Sequence, residues 1–148
     1  MKELFGINIF FIIVAALSVT PAAAQGRIEV SVSNFKTDNG VCRLCLFNSA
    51  ENYEAKKQVA LQCLSLNIKN RKTTGVFERV PAGRYAIFGF HDANNNNVMD
   101  RNFIGVPTEG YGASKNKLPF AAAPTYEDNQ FDIDNRLTKH IRIKLRNL

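Results

Sequence analysis

Beyond its first 24 residues the chain has no apolar stretch of the ~20 residues that a membrane-crossing helix needs, so the remainder is expected to be soluble. Histidine is nearly absent, with His91 and His140 alone in 148 residues. Catalysis needs a nucleophile, a base or an open metal site held in mutual reach, and this supply leaves few candidates. A G-x-S-x-G elbow is missing, since Gly110-Tyr111-Gly112-Ala113-Ser114 has the wrong spacing. Cysteine is sparse and odd in number: Cys42, Cys45 and Cys63. None follows the N-terminal apolar run, which leaves a bacterial lipid anchor no attachment point. Basic residues are not interleaved with clustered aromatics, so no nucleic-acid platform is expected.

What is present begins with an export signal. Met1-Lys2-Glu3 opens a short charged region, Ile7 to Val19 is apolar apart from Asn8 and Ser18, and Ala22-Ala23-Ala24 offers small residues to a signal peptidase. Cleavage after Ala24 leaves residues 25–148, which is 148 − 24 = 124 residues and enough for one domain with a real core. Lys2 and Glu3 cancel, so the formal charge of +6 survives processing. Export to the periplasm or the medium also permits disulfides. By strand parity Cys42 shares a face with Leu44 and Leu46, whereas Cys45 and Cys63 lie on the opposite side, and these two are the preferred pair. A redox Cys-x-x-Cys needs a helix start, and here the two cysteines fall inside a strand pattern.

Ile28, Val30 and Val32 alternate with polar residues, Asp38-Asn39-Gly40 turns the chain, and Val41 to Phe47 follows, which predicts a hairpin. Ser49 to Gln62 is the one candidate helical stretch. Leu64 to Ile68 and Val76 to Val80 read as further strands, separated by a basic turn over 70–75. Arg84 to His91 is apolar on both faces, the pattern of a central, doubly covered strand. A connection rich in Asn, Gly, Pro and Ala runs from Asp92 to about Gln130, and loops of that length inside compact domains are functional or held by something beyond their backbone. Phe131 to Asp134 and Lys139 to Leu145 close the sheet. In the last of these, Ile141, Ile143 and Leu145 face inward and Arg142, Lys144 and Arg146 outward, as on a solvated sheet face. The predicted fold class is an all-β antiparallel sandwich of about seven strands with one long ordered loop.

The loop carries the strongest functional signal. In Asp92-Ala93-Asn94-Asn95-Asn96-Asn97-Val98-Met99-Asp100, side-chain oxygens recur at every second place: Asp92, Asn94 and Asn96 stand first, third and fifth, Asp100 ninth, and the carbonyl of Val98 seventh. Calcium is a hard cation seeking six to eight oxygens, and a short loop that folds back supplies them by such alternation. Few carboxylates among the ligands predict a weak site, on the order of 10⁻⁴ to 10⁻³ M, suited to a calcium-rich compartment. Asn97 stands where the sharp-turn glycine is usual and Phe103 where a bidentate glutamate would stand, so a paired-helix calcium hand is not expected; loops like those of thrombospondin calcium repeats are closer. The metal-free alternative is an Asn-rich turn that caps its own amides. Glu109 is the candidate extra carboxylate, with Gly105, Gly110 and Gly112 letting the chain pass close to the ion loop.

Val80-Pro81-Ala82-Gly83-Arg84-Tyr85-Ala86, then His91-Asp92-x-Asn94-x-Asn96-x-x-x-Asp100, then Gly105-Val106-Pro107-x-Glu109-Gly110-Tyr111-Gly112-x-Ser114 together resemble the bacterial exported family called domain of unknown function 2141. The resemblance covers essentially the whole mature chain. It implies a secreted or periplasmic domain built as an immunoglobulin-like or transthyretin-like sandwich, and it brings no established activity. The leading expectation is a non-catalytic module with a Ca²⁺ loop, binding an envelope protein or a polysaccharide or serving a structural role. Two alternatives stand beside it: a carbohydrate-binding module with Tyr111, Phe120 and Tyr126 as stacking faces, and a small hydrolase using His91 and Glu109.

Overall fold

The computed structural model describes residues 25–55, 59–134 and 137–148. The expected leader, residues 1–24, lies outside the described residues, as do positions 56–58 of the predicted helical stretch. Strands β1 (Gly26–Ser33), β2 (Val41–Phe47), β3 (Gln62–Asn67), β4 (Lys72–Val80), β5 (Gly83–Asp92), β6 (Tyr111–Ala113), β7 (Phe131–Ile133) and β8 (Thr138–Lys144) are joined by two short helices, α1 (Ala50–Glu54) and α2 (Tyr126–Asn129). They form a three-stranded sheet, β4-β1-β8, and a five-stranded sheet, β3-β2-β5-β6 with β7 also paired to β5. The predicted all-β sandwich is what the chain adopts.

Alternation builds the interior. Ile28, Val30 and Val32 of β1 and Ile141 and Ile143 of β8 meet Cys42, Leu44 and Leu46 of β2 and Ile87 of β5, all buried in one cluster. Removing that apolar surface from water is the main stabilising term, since each such side chain contributes about 1.5–3 kcal/mol. On the far face of β5, Phe47, Tyr53, Ala86 and Tyr126 form a second small cluster, packed by Phe88. Helices α1 and α2 cover this face, linked where the Tyr126 amide donates to Glu54 Oε1 at 2.8 Å. The doubly covered strand read from the sequence is thus real, with the main core on one face and the small cluster on the other.

Three local expectations are corrected. First, β1 and β2 do not form a hairpin, because each pairs within a different sheet. Both strands carry a fully apolar inner face, and the two faces bury each other only when the turn carries the chain across the sandwich. Buried Phe35 fills the crossing. Second, β8 runs parallel to β1 while the other pairings are antiparallel. The chain leaves β7 beside the start of β5 and crosses to the other sheet next to Gly26, where a Cβ would stand 2.7 Å from Ile133. That close approach accompanies the start of β8 level with β1, where Arg27 pairs with Thr138. Third, β4 begins at Lys72, inside the segment read as a basic turn. The turn itself is tighter, with Asn70 and Arg71 at φ 53° and 58°, and the Asp38 carboxylate accepts both their amides.

The cysteines fall as parity predicted. Cys45 and Cys63 are directly opposed in the β2–β3 register and form a disulfide, and Cys42 is free and buried. Burial pushes the Cys42 thiol up to about 12, which leaves it protonated and inert at neutral pH.

Candidate functional site

The 92–110 loop starts where β5 ends. Asp92 is fully buried although it is charged. Burial raises its pKa, but the hydrogen bond from Arg43, the backbone amides of Asn97 and Asn96 and the Arg43 charge outweigh this, and the carboxyl lies below its ordinary value. Arg43 is its diagonal neighbour on β2, because Arg43 pairs with Phe90 and the same face of β5 next presents Asp92. The Asn96 amide donates to Asp92 Oδ1 and the Asn97 amide to Oδ2, both at 3.0 Å. Asp92 is thus the pin on which the loop turns.

The alternation then winds the loop on itself. Asn94 Oδ1 accepts from the Asn96 amide at 3.2 Å, and Asn96 Oδ1 accepts from the Val98 amide at 2.9 Å. Asn94 and Asn96 both aim Nδ2 at Asp100, reaching its two oxygens at 2.7 and 2.9 Å. Glu109 comes from the returning chain and closes the loop, one oxygen accepting the Ala93 amide at 2.9 Å and the other the Asp100 amide at 3.0 Å. The side chains selected by spacing therefore belong to one network with Glu109. Asn97, at the place of the usual glycine, adopts φ 67°, and Asn95 adopts φ 60°. Asparagine tolerates this left-handed backbone, so the turn keeps its sharpness without glycine.

The chemistry of the side chains selected by spacing is that of hard ligands. Every predicted ligand is an oxygen, and a carboxylate oxygen that accepts one amide keeps a further lone pair. Arg43 balances Asp92, whereas Asp100 and Glu109 have no cationic partner in ion-pair range among the described residues. No group of three His, Cys, Asp or Glu side chains among the described residues is placed to hold a metal, so a cation here would depend on Asn94 and Asn96 as well. The ligands expected from the sequence are Asp92, Asn94, Asn96, the Val98 carbonyl, Asp100 and Glu109; in the structure Asn94 and Asn96 turn Nδ2 toward Asp100, so these two side chains would have to turn to offer oxygen to a cation.

Other predicted residues are placed apart from this network. His91 is buried, with Nε2 2.7 Å from the Asn39 carbonyl and its ring edge-on to Phe35. Glu109 holds two loop amides while His91 is engaged with Asn39, so the structure does not bring the pair together as an acid–base couple. Tyr111 and Tyr126 are buried, and Phe120 stands alone at 97 % exposure, so the three aromatics form no exposed row. Phe103 is exposed at the tip of a turn in which Asn102 Oδ1 accepts the Ile104 and Val106 amides. Gly110 and Gly112 approach the C-terminal segment instead of the 92–100 turn: a Cβ on them would lie 2.4 Å from Asn147 Oδ1 and 2.6 Å from Ile143.

The rest of the long connection has an organiser that the sequence reading missed. Ser114 exchanges hydrogen bonds with Ile87 on β5 and donates from Oγ to the Asn129 carbonyl at 2.6 Å. The Asn129 side chain is wholly buried; it accepts the amides of Lys115 and Lys117 and donates to the carbonyls of Lys117 and Thr125. A lone asparagine in a polar stretch has no signature. The available clue was Thr125, three residues before Asp128, which caps the helix that ends at Asn129.

A family model described as an uncharacterized protein conserved in bacteria (DUF2141) matches residues 30–141, and the chain belongs to this family. No curated protein and no solved structure matches the chain.

Proposed function

From this family membership and the loop geometry, we propose that the protein is an exported, non-catalytic β-sandwich module of the cell envelope whose 92–110 loop is ordered by calcium. One observation carries the reading: among the described residues Asp100 and Glu109 have no cationic partner, and the charge of Asp100 is met by the side-chain amides of Asn94 and Asn96 alone. A divalent cation supplies the missing positive charge and stiffens the loop as a presenting surface. His91 acts in packing, because both its ring edge and its Nε2 are engaged inside the domain. Among the described residues no helix is long and apolar enough to cross a membrane.

The test is thermal unfolding of the purified protein with chelator and with millimolar calcium. Calcium at about 100 times its dissociation constant adds about 2.7 kcal/mol, seen as a clear rise in Tm. The same rise is expected to vanish in Asp100→Ala. Equal melting with and without calcium would make the loop a self-capped turn. Export has its own check: the protein recovered from the periplasm or medium of its bacterium should begin near Gln25.

A further inference from the structure

The outward face of the three-stranded sheet is divided electrically. Register sets its outward residues in rows across β8, β1 and β4: Lys144, Ser33, Lys72; then Arg142, Ser31, Thr74; then His140, Glu29, Val76. The third row is neutralised. Arg27 pairs with Glu29 at 3.5 Å and with Glu78 at 3.1 Å, and His140 Nδ1 lies 3.2 Å from Glu29. The first two rows hold three cations and three hydroxyls, and no carboxylate stands in ion-pair range of those cations among the described residues. Asn116 extends this half at the β8 edge, donating to the Arg142 carbonyl at 2.9 Å and accepting the Lys144 amide at 2.8 Å, and this brings exposed Lys115 and Lys117 alongside. A hollow of about 170 Å³ lies where the cationic and neutralised halves meet, lined by Glu29, Ser31, Thr74, His140, Ile141 and Arg142.

We propose that this half-face binds a linear acidic polysaccharide. Adjacent strands lie about 4.8 Å apart and alternate residues about 6.8 Å apart, so Lys72 and Lys144 are held roughly 10 Å from each other, with Arg142 one step along the strand. That lattice fits an extended polymer with charges repeated along it. A small anion is better served by convergent donors, which a flat, open face does not provide. The hydroxyls of Ser31, Ser33 and Thr74 lie between the cations and can exchange hydrogen bonds with sugar hydroxyls. The two cationic rows contain no apolar side chain to enter a lipid surface and no aromatic ring to stack on a nucleobase. Charge complementarity therefore points to sugar acids or sulfated sugars. The inference does not depend on the calcium loop.

Calorimetric titration at low ionic strength with heparin and with polygalacturonate, and with neutral dextran as control, tests it. Both acidic polymers are expected to bind and dextran is not. The variant combining Lys72→Gln, Arg142→Gln and Lys144→Gln is expected to weaken binding by about tenfold or more and to flatten its salt dependence, as loss of ionic contacts requires. A charge-matched variant combining Arg79→Gln, Arg84→Gln and Arg101→Gln should stay within about twofold of the parent. Equal losses in the two variants would reduce the effect to net charge and overturn the proposal. So would binding of dextran, or failure of both acidic polymers to bind. Thermal unfolding of both variants verifies that their fold is intact.

Discussion

Residues 92–110 and residues 114–130 belong to one connection, and they are ordered by side chains of opposite character. The first half turns on carboxylates: Asp92 inside, Asp100 and Glu109 nearer solvent, each accepting N–H donors. The second half turns on one neutral carboxamide, Asn129, with four hydrogen bonds and no exposed surface. A buried amide whose donors and acceptors are all used is complete and neutral. A carboxylate that accepts only amides keeps both charge and lone pairs. The two segments, separated by β6, thus differ in kind: one is neutral with its hydrogen bonds all internal, and the other keeps carboxylate charge near solvent.

Breaking the neutral segment should cost most. Asn129→Ala removes one hydrogen-bond partner from each of two amides and two carbonyls, and about 3–4 kcal/mol of stability should be lost in denaturant unfolding, with no dependence on calcium. A loss below about 1 kcal/mol would mean that water replaces the amide freely.

Asp92→Ala comes next, at about 3 kcal/mol, because Arg43 is left without its partner in a largely covered position. The sign of its pH dependence follows from the lowered pKa. Stability from ionised Asp92 is fully present above the unfolded carboxylate value of about 3.9 and disappears as pH falls through the lower folded value. The parent should therefore lose stability below about pH 4 more steeply than Asp92→Ala does. Parallel curves would show that other carboxylates govern acid unfolding.

Glu109→Gln sharpens the comparison further. It should cost about 1 kcal/mol globally, yet hydrogen exchange at the Ala93 and Asp100 amides should accelerate while exchange at Lys115 and Lys117 stays unchanged. Acceleration in both halves would make the connection one cooperative unit. The smallest effect is Asn97→Gly, expected to change stability by only a few tenths of a kcal/mol, since glycine accepts the φ of 67° already present. Asn97→Val, which suits left-handed backbone poorly, should cost about 1–2 kcal/mol.

Much of this molecule was legible before any coordinates. Alternation at Ile28, Val30 and Val32, at Cys42, Leu44 and Leu46, and at Ile141, Ile143 and Leu145 named the inner faces, because a pleated strand shows its sides in turn. The same parity paired Cys45 with Cys63 and left Cys42 inside. Oxygen spacing from Asp92 to Asp100 singled out the side chains that do share one network, because such close spacing is local to the chain. Glu109 was chosen only by its chemical type, and tertiary structure decided that it would tie the two ends of that loop together.

Parity cannot say which strand lies beside which. A turn of Asp, Asn and Gly ends a strand without specifying whether the next joins the same sheet or the opposite one, and burial of two apolar faces against each other decided it for β1 and β2. The parallel seat of β8, the partnership of Arg43 with Asp92 and the convergence of four backbone groups on Asn129 likewise join residues far apart in the chain. Period and composition are properties of neighbours along the chain, and they determined the inner faces of the strands and the oxygen spacing from Asp92 to Asp100. Which distant donor meets a buried carboxylate or amide is set by packing, and only the folded sandwich determined that.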